Sequence, residues 1–478
     1  MDKKEKNTEK NKDILLIVSA VAVLLLWLPL SVTKNLAYDQ AYSLAMVRHS
    51  FGEIITLCSH DVHSPLYYFI AKIFYHLFLN RIFGLKVCSL VFMAFYFWIL
   101  AVPVKKEFGF KISLSMIVLS AFFPTYLTHN TEPRMYAMSI AVFTLTLFLA
   151  YKLVKEFKIS TAIPFFFASV FSTYIHTYTM LATVMLYIIM MVVIFADKND
   201  RKRKIIWFFS NALAVSIAYL PWLFSLVSQF GKKAEGANDE YDAAFFIKDT
   251  VYEFFSSIMY PKKWQAAIWF FIILVSLVFL FTQKSRYIKI VAGSVIVLGI
   301  LCSVGIILSI KNSPCYMGRY VSCMAPLVIF AVAAGLENIQ SKWIYTAILV
   351  LSLLAGILVY RDRIRYEFEN GIDEYIEFAN ENIKEDDAIL YADLHNDMLS
   401  VYYPDAYSFI YGHKDDFNPY DNDETFTDIE QLKKIKGDVY LICFDNKNPD
   451  WFLTCDYVKT YGFHFLYYDF SIYRIYNF

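Results

Sequence analysis

The residues best suited to chemistry stand where long apolar stretches of the sequence end. Asp39 and Gln40 follow the first apolar stretch, in YDQAYSLAMVRHS. Later segments, HDVHSPLYY, HNTEPRMYAM, TYIHTYT and PCYMGRY, supply the other candidates: His60, Asp61, His63, Tyr67, Tyr68, His129, Glu132, Arg134, Tyr136, His176 and Arg319. Ionisable residues are costly near a membrane and usually face a partner or a cavity. Their gathering at stretch ends therefore predicts a functional site.

Asp39 suits a general base, because no lysine or arginine adjoins it in the sequence. Arginine and histidine on other segments suit a charged phosphate group, and arginine binds phosphate through two N–H groups at once. Arg134 and Arg319 are the arginine candidates, and His63 and His176 are the histidine candidates.

Each candidate also has a purely structural interpretation. A carboxylate in an exposed loop is usually only solvated, so Asp39 alone proves nothing. Glu132 and Arg134 can form an interfacial ion pair, and His176 can be a polar residue between helices. The acidic run Asp421–Asp423 is more typical of a turn than of a metal–nucleotide site.

The elements that must position these residues are membrane spans. Hydrophobic residues make up 58% of the 478-residue chain, and the mean hydropathy is +0.44; soluble domains are nearer 45–50% apolar. A span needs about 20 mostly apolar residues, and about eleven stretches qualify. They are 14–31, 85–103, 112–128, 135–151, 160–175, 179–196, 205–228, 264–282, 288–310, 321–337 and 343–359. The chain is predicted to be a polytopic α-helical membrane protein.

Loop charge predicts the orientation of these spans. The basic start, Lys3 to Lys12, precedes the apolar run Ile14–Leu30, which lacks an Ala-x-Ala-like cleavage site and is expected to stay as the first helix. Basic loops favour the cytoplasmic side. The basic loops are Lys105–Lys111, Lys152–Lys158, Arg201–Lys204 and Lys284–Lys289. All four lie on the cytoplasmic side only if the stretch Leu66–Leu79 lies at the interface or re-enters without crossing the membrane. We expect a cytoplasmic N-terminus in a multi-pass protein of the cell membrane.

Three polar segments then share the outer face: Ser31–Pro65, His129–Arg134 and the short turn His176–Tyr178. The loops Gly231–Lys263 and Lys311–Tyr320 join them there.

The tail after Arg361 has a polar, acidic composition. Ile372–Ile383 has the pattern of an amphipathic helix, and four short strands are expected: Ala388–Tyr391, Val439–Phe444, Phe463–Tyr468 and Ser471–Tyr476. We predict two domains, a membrane module at 1–360 and a small extracytoplasmic α/β domain at 361–478.

Charge and cysteine usage narrow the functional classes. The net charge is zero, which argues against a nucleic-acid partner held by phosphate neutralisation. The seven cysteines form no C-x-x-C motif, and Cys443 and Cys455 are either a disulfide pair or two separate thiols. No Rossmann glycine motif or P-loop is present, in keeping with a donor that is not a nucleotide.

Over residues 14–340 the pattern resembles the bacterial GT-C glycosyltransferases, in the branch with protein O-mannosyltransferases and lipid A aminoarabinose transferases. The resemblance rests on Asp39 after the first span, HSPLYY opening a helix, EPRMYAM after the third span and GRY before a late span. The family usually has Asp-Glu where this chain has Asp39-Gln40, and His-Pro-Pro where it has His63-Ser64-Pro65. Loss of the second carboxylate weakens a metal site, so no metal or other cofactor is indicated, although a divalent ion is compatible.

The resemblance implies a sugar donor carried on a polyprenyl phosphate or diphosphate at the outer membrane face. The acceptor hydroxyl would belong to a protein, a glycolipid or a wall polymer, and membrane lipid would surround the donor tail. Asp39 would accept the proton of the acceptor, with inversion at the anomeric carbon. Arg134, Arg319, His63 and His176 would bind the phosphate, Glu132 would orient Arg134, and Tyr67, Tyr68 and Tyr136 would contact the sugar or the lipid neck. This scheme requires Asp39 and the arginines to converge in one pocket.

Two other functions remain open at this level. A flippase or transporter of lipid-linked sugars predicts inverted repeats and polar residues at mid-membrane, and neither is apparent in the sequence. A non-catalytic envelope scaffold or sensor fits Gln40 and the sizeable tail.

Overall fold

The computed structural model describes residues 3–61, 63–197, 200–229, 241–256, 261–311, 315–369, 371–392, 397–403, 406–411, 419–420, 423–444, 452, 455–465 and 468–477. The helices in these ranges are α1 Lys3–Trp27, α2 Tyr38–Met46, α3 Phe51–His60, α4 Leu66–Leu77, α5 Arg81–Ile99, α6 Lys105–Phe108, α7 Phe110–Phe122, α8 Pro124–His129, α9 Tyr136–Lys155, α10 Ile159–Ile175, α11 Thr177–Ala196, α12 Arg201–Gln229, α13 Ala243–Phe255, α14 Lys263–Thr282, α15 Ile288–Lys311, α16 Ala325–Glu337, α17 Lys342–Glu369 and α18 Asp373–Asn382.

The predicted spans correspond to helices. Nine helical stretches in the described residues are long and apolar enough to cross a membrane, and two shorter apolar helices, α7 and α10, fall on the other two predicted spans. The stretch Leu66–Leu79 forms α4, whose 12 residues are fewer than a span needs. The prediction of a polytopic helical membrane protein is confirmed.

Proline modifies two of the spans. The predicted span 112–128 is two helices, because Pro124 forces the preceding Phe123 into an extended backbone (ψ 130°) that separates α7 from α8. Pro103 lies in a π-helical turn, Leu100–Val104, through which the span continues from α5 into α6.

The loop expected over Gly231–Lys263 contains a helix, so that part of the prediction is wrong. Asp242 begins α13 as its N-cap, with its Oδ1 accepting a hydrogen bond from the Phe245 N–H at 2.8 Å. Glu253 and Phe254 follow Phe246 by seven and eight residues and share its buried face of α13. The helix was missed because its 13 residues are too few for a span.

The chain divides into two compact units. The first comprises residues 1–31, 58–67 and 86–363, and the second comprises 32–57, 68–85 and 364–478. The predicted domain boundary at residue 361 lies inside α17, which continues to Glu369.

Close helix contacts hold the first unit together. A Cβ on Gly335 of α16 would lie 2.2 Å from the Ser276 carbonyl oxygen of α14, so only glycine allows the two helices to approach this closely. The Trp27 indole N–H of α1 donates to the Ala121 carbonyl of α7 at 3.1 Å.

A mixed sheet forms the body of the second unit. Its strands are β1 Ala388–Tyr391, β2 Tyr407–Tyr411, β3 Asp423–Phe426, β4 Val439–Phe444, β5 Asp456–Phe465 and β6 Tyr468–Asn477, in the spatial order β3-β2-β1-β4-β6-β5. β3, β2, β1 and β4 run parallel to one another. β6 pairs antiparallel with β4 on one side and with β5 on the other. Every residue of β1 and β4 is buried, as in central parallel strands.

The predicted strands at Ala388–Tyr391 and Val439–Phe444 match β1 and β4, Ser471–Tyr476 lies within β6, and the predicted helix matches α18. Of the strand expected at Phe463–Tyr468, Phe463–Phe465 end β5 and Tyr468 begins β6, and residues 466–467 lie outside the described residues. Cys443 and Cys455 are both buried free thiols.

Residues 32–57 also belong to the second unit, where α2 packs against the 3-10 helix Asp397–Tyr402. Tyr402 Oη accepts a hydrogen bond from the Leu36 N–H at 3.0 Å and donates to the Lys34 carbonyl at 2.8 Å. Asn35 donates to the Glu367 carbonyl at 2.8 Å and accepts from the Ile372 N–H at 3.1 Å. These bonds fix the backbone immediately before the helix that carries Asp39.

Candidate functional site

A buried charge network lies where α8, α13 and the start of α9 meet. His129, the last residue of α8, has one ring nitrogen, Nε2, 2.8 Å from Glu253 Oε1 of α13, and its Nδ1 contacts Glu132 Oε2. Ser89 of α5 donates to the Glu132 carbonyl, and Thr125 donates to the Glu253 carbonyl at 2.9 Å. The network thereby fixes the irregular segment that leads to Arg134.

Both ring nitrogens of His129 face a carboxylate, which favours the doubly protonated ring. Burial lowers the pKa of His129, but the negative charges of Glu253 and Glu132 outweigh it and raise that pKa to about 9. Burial raises the pKa of Glu132, whereas His129, Arg319 and Arg363 lower it, and the net direction is downward. Glu132 is therefore ionised and forms an ion pair with His129.

Arg134 is buried and contacts His63. Its Nη2 lies 2.9 Å from His63 Nε2, and His63 Nε2 is 3.9 Å from Asp61 Oδ2. Because a guanidinium only donates, Nε2 of His63 accepts and the ring proton resides on Nδ1. His63 is thus neutral and orients Arg134, which differs from the cationic phosphate ligand expected from the sequence.

His176 stands at the break between α10 and α11. It caps α11, with its Nδ1 accepting from the Tyr178 N–H at 3.2 Å. Burial holds its pKa well below the ordinary histidine range, and the positive charges of Arg134 and Arg319 lower that pKa further. A neutral His176 cannot supply the positive charge that the sequence suggested for it.

Aromatic rings surround His176. The ring centroid of Tyr320 lies 5.0 Å from that of His176, and the centroid of Tyr136 lies 6.1 Å away. Tyr136 also packs against the His129 ring at 4.4 Å. Tyr136 therefore connects the charged network to the aromatic cluster.

Arg319 lies in the 3-10 helix Gly318–Met324 that precedes α16. The Gly318 N–H donates to Asp249 Oδ2 at 2.6 Å, and a Cβ on Gly318 would lie 2.8 Å from Thr250 Cα. Asp249 is one turn before Glu253 on α13, so a single helix holds both the Arg319 segment and His129. The guanidinium of Arg319 stacks over its neighbour Tyr320, 5.8 Å from the ring centroid.

The structure therefore brings six predicted residues into the first unit: His63, Glu132, Arg134, Tyr136, His176 and Arg319. Electrostatic interactions link Glu132 with Arg319, and His176 with Arg134 and Arg319. Asp61, His60 and Tyr67 also belong to this unit. His60 is an exposed residue whose Nδ1 lies 3.2 Å from Ser59 Oγ.

Asp39, Gln40 and Tyr68 belong to the second unit. Gln40 is buried at the N3 position of α2, and its Oε1 accepts from the N–H of the N-cap residue Ala37 at 3.4 Å. A glutamine here stabilises the helix that carries Asp39. Tyr68 is buried with its ring 6.4 Å from that of Tyr42.

Sequence reasoning missed three charged residues of this region, Asp249, Glu253 and Arg363. Asp249 and Glu253 are spaced by four residues in the otherwise apolar run AAFFIKDTVYEFF, and this spacing was the available signal. Arg363 is buried near the end of α17 and lowers the pKa of Glu132, but it looked like one of several charges after the last span. In the described part of the chain, no group of three or more His, Cys, Asp or Glu side chains is arranged to hold a metal ion.

Solved structures with the same fold are glycosyltransferases. ArnT from Cupriavidus metallidurans in the apo state matches with a TM-score of 0.63 at 8% identity, over 96% of this chain and 97% of ArnT. ArnT bound to undecaprenyl phosphate matches with a TM-score of 0.63 at 9% identity over the same shares. The arabinofuranosyltransferase AftD from Mycobacteria matches with a TM-score of 0.51 at 13% identity, over 79% of this chain and 29% of AftD.

No protein-family model and no curated protein sequence matches the chain. The fold and the membrane helices are those of a multi-pass membrane protein with the GT-C fold, as the resemblance in the sequence predicted. This fold is similar to that of ArnT along nearly the whole length of both chains.

Proposed function

We propose that this protein is a membrane glycosyltransferase that moves a sugar from a polyprenyl-phosphate carrier to an acceptor hydroxyl at the predicted outer face. The observation that carries the proposal is the buried Arg134, oriented by His63 and followed by Tyr136, beside the ionised Glu132–His129 pair. Structural similarity to ArnT bound to undecaprenyl phosphate supports a lipid-phosphate donor.

Arg134 and Arg319 carry the positive charge for the donor phosphate in this proposal. His63 and His176 are neutral, and they serve to orient Arg134 and to line the site. Preorganised cations stabilise the negative charge that grows on the departing phosphate, and such stabilisation often contributes more to catalysis than any other effect. Glu132 forms an ion pair with His129, so its role in the proposal is to fix the backbone that precedes Arg134.

Asp39 is the general base of the proposed reaction. The acceptor oxygen attacks the anomeric carbon and gives its proton to the Asp39 carboxylate. The bond between that carbon and the phosphate oxygen breaks, and its electron pair leaves with the lipid phosphate. One displacement inverts the anomeric centre. General-base assistance of this kind contributes about 10²–10⁴-fold.

Aromatic side chains provide the surface for the sugar. Tyr136 and Tyr320 flank His176, and rings of this kind pack against the apolar faces of sugars and lipid necks. Tyr67 is buried in the same unit and is assigned to the lipid side of the donor. The polyprenyl tail would lie along the apolar helix surfaces, within the surrounding membrane lipid.

A transfer assay tests the proposal directly. Purified protein in liposomes is given radiolabelled polyprenyl-phosphate sugars together with candidate acceptors: protein, glycolipid or wall polymer. Transfer of label to a second molecule is expected. Movement of intact donor across the bilayer without transfer would instead identify a flippase. Donor binding with neither reaction, across all the acceptor classes, would identify a scaffold or sensor.

A further inference from the structure

A polar cleft lies in the first unit, and none of the candidate site residues lines it. Its volume is about 920 Å³, within the range of about 300–1,000 Å³ typical of ligand pockets. It is formed by the start of α7, the turn between α14 and α15, and the turn between α16 and α17. Loop charge predicts that these turns face the cytoplasm.

Positive charge dominates this basic cleft. Four basic side chains and one carboxylate, Glu337, line it; the basic residues are Lys111, Lys284, Arg286 and Lys342. Lys284 and Lys342 are exposed and form no ion pair with any residue in the described ranges. Arg286 is the one that approaches Glu337, at 3.6 Å, so the cleft keeps an excess of cations.

Lys111 supplies a fixed charge at the floor of the cleft. Its Nζ donates to the Glu337 carbonyl at 2.9 Å and to the Ile339 carbonyl at 2.6 Å, and it lies 4.8 Å from the centroid of the Tyr345 ring. Carbonyl groups do not neutralise the ammonium charge. The lysine is therefore held rigidly while remaining available to attract an anion.

Lys284 occupies a position where glycine is favoured. It ends α14 in a Schellman turn, with the Ser285 N–H donating to the Leu280 carbonyl at 2.9 Å and the Lys284 N–H donating to the Phe281 carbonyl at 3.1 Å. Its φ is +49°, a left-handed conformation that costs an ordinary side chain about 1 kcal/mol or more. A cation at the rim is thus kept at a backbone position that would be more stable with glycine.

The same cleft has apolar walls. Phe110, Leu114 and Ile339 line it beside the charges, and α7 and α17 begin there with their N-terminal ends, which favour anions. Trp343, next to Lys342, is 87% exposed, as in tryptophans that anchor helices at the headgroup level. An occupant with a phosphate joined to apolar chains fits these walls better than a free anion.

We propose that this basic cleft binds the phosphate headgroup of an anionic phospholipid. Basic pockets between membrane helices are recognised sites for such headgroups. Lys284 and Lys342 attract the phosphate from the rim, Lys111 fixes its depth, and the apolar walls receive the glycerol and upper acyl chains. This site is independent of the proposed glycosyl transfer.

The test uses full-length protein in detergent, with phosphatidylglycerol binding measured by native mass spectrometry. The double variant Lys284→Gln/Lys342→Gln should weaken binding roughly 30-fold, because each basic residue near an anionic lipid surface contributes roughly fivefold. The matched control is Lys106→Gln/Lys202→Gln, which removes two exposed lysines from other basic loops. The control should bind like the wild type.

Three outcomes would overturn the proposal. An equal loss of phosphatidylglycerol affinity in the two double variants would show that the lipid is attracted to basic loops in general and not to this cleft. Equal binding of phosphatidylcholine would exclude recognition of an anionic headgroup. Inorganic phosphate that displaces phosphatidylglycerol at the same concentration would identify a site for a free anion rather than for a lipid. Unchanged glycosyl transfer in the Lys284/Lys342 variant leaves the proposal standing.

Discussion

His129 Nε2 and Glu253 Oε1 lie 2.8 Å apart in the interior of the first unit, although 124 residues separate them in sequence. The side chains of His129 and Glu253 are 1% and 0% exposed. With Glu132 on the other ring nitrogen, His129 joins the segment before Arg134 to α13. A buried charge that loses its partner is strongly destabilising, so the His129–Glu253 contact is expected to stabilise the folded state of the first unit.

Removal of the Glu253 carboxylate should therefore destabilise the protein. Glu253→Ala leaves the imidazolium with one partner and opens a cavity, at an expected loss of about 3–5 kcal/mol. Glu253→Gln keeps an oxygen that accepts from His129 and should lose less. Thermal unfolding in detergent measures both. A Glu253→Ala protein as stable as the wild type would show that the network contributes nothing to folding.

The stability provided by His129 should depend on pH. Its pKa is about 9 in the folded protein and about 6.5 when unfolded, so its contribution is fully present below pH 6.5 and is lost as the pH rises through 9. The melting temperature of the wild type should exceed that of His129→Gln most at pH 6 and least above pH 9. His176 is common to both proteins, so its own titration cancels. A difference that stays constant from pH 6 to 9.5 would contradict the assignment of a charged His129.

Asp39→Asn should abolish sugar transfer while leaving undecaprenyl phosphate binding within about twofold of the wild type. The amide cannot accept the acceptor proton, and the expected loss is about 10²–10⁴-fold. Gln40→Glu is the matched control, because a glutamate oxygen can still accept from the Ala37 N–H and the change leaves Asp39 in place. Near-normal transfer by Asp39→Asn would exclude Asp39 as the base.

Arg134→Ala should weaken both undecaprenyl phosphate binding and turnover. A charge-assisted hydrogen bond contributes about 1.5–3 kcal/mol, which corresponds to roughly 10–150-fold in affinity. Arg134→Lys keeps the charge but loses the planar pair of donors, so its affinity and turnover should lie between those of the wild type and Arg134→Ala. Arg203→Gln, an exposed arginine of a basic loop, serves as the control for lost charge. Unchanged affinity in Arg134→Ala would remove Arg134 from the donor site.

The sequence predicted the spans well because hydrophobicity over about 20 residues is a strong local signal. It also selected Arg134, His176 and Arg319 as site candidates, because ionisable residues at the ends of spans are rare, and all three lie in the first unit. Local patterns could not pair His129 with Glu253, since that contact depends on the packing of α13, a helix too short to register as a span. The protonation of His63 likewise follows from its distance to Arg134, which no spacing in the sequence encodes.

The hydroxyl group of Tyr402 should control the order of the segment that carries Asp39. Tyr402→Phe removes one bond from the Leu36 N–H and one to the Lys34 carbonyl, each contributing about 0.5–1.5 kcal/mol. The amide of Leu36 loses its acceptor and should exchange its hydrogen with solvent about tenfold faster. Transfer should fall in parallel, because α2 begins two residues later.

Tyr403→Phe is the control for the loss of a tyrosine hydroxyl at the neighbouring position. Tyr403 Oη donates to the Ile376 carbonyl at 3.1 Å and to Asn380 Oδ1 at 2.6 Å, both on α18, and it makes no bond to the Asp39 segment. Its loss should leave exchange at Leu36 unchanged. Equal protection of Leu36 in Tyr402→Phe and the wild type would mean that the remaining contacts, such as Asn35 with Glu367, are sufficient to hold the Asp39 helix in place.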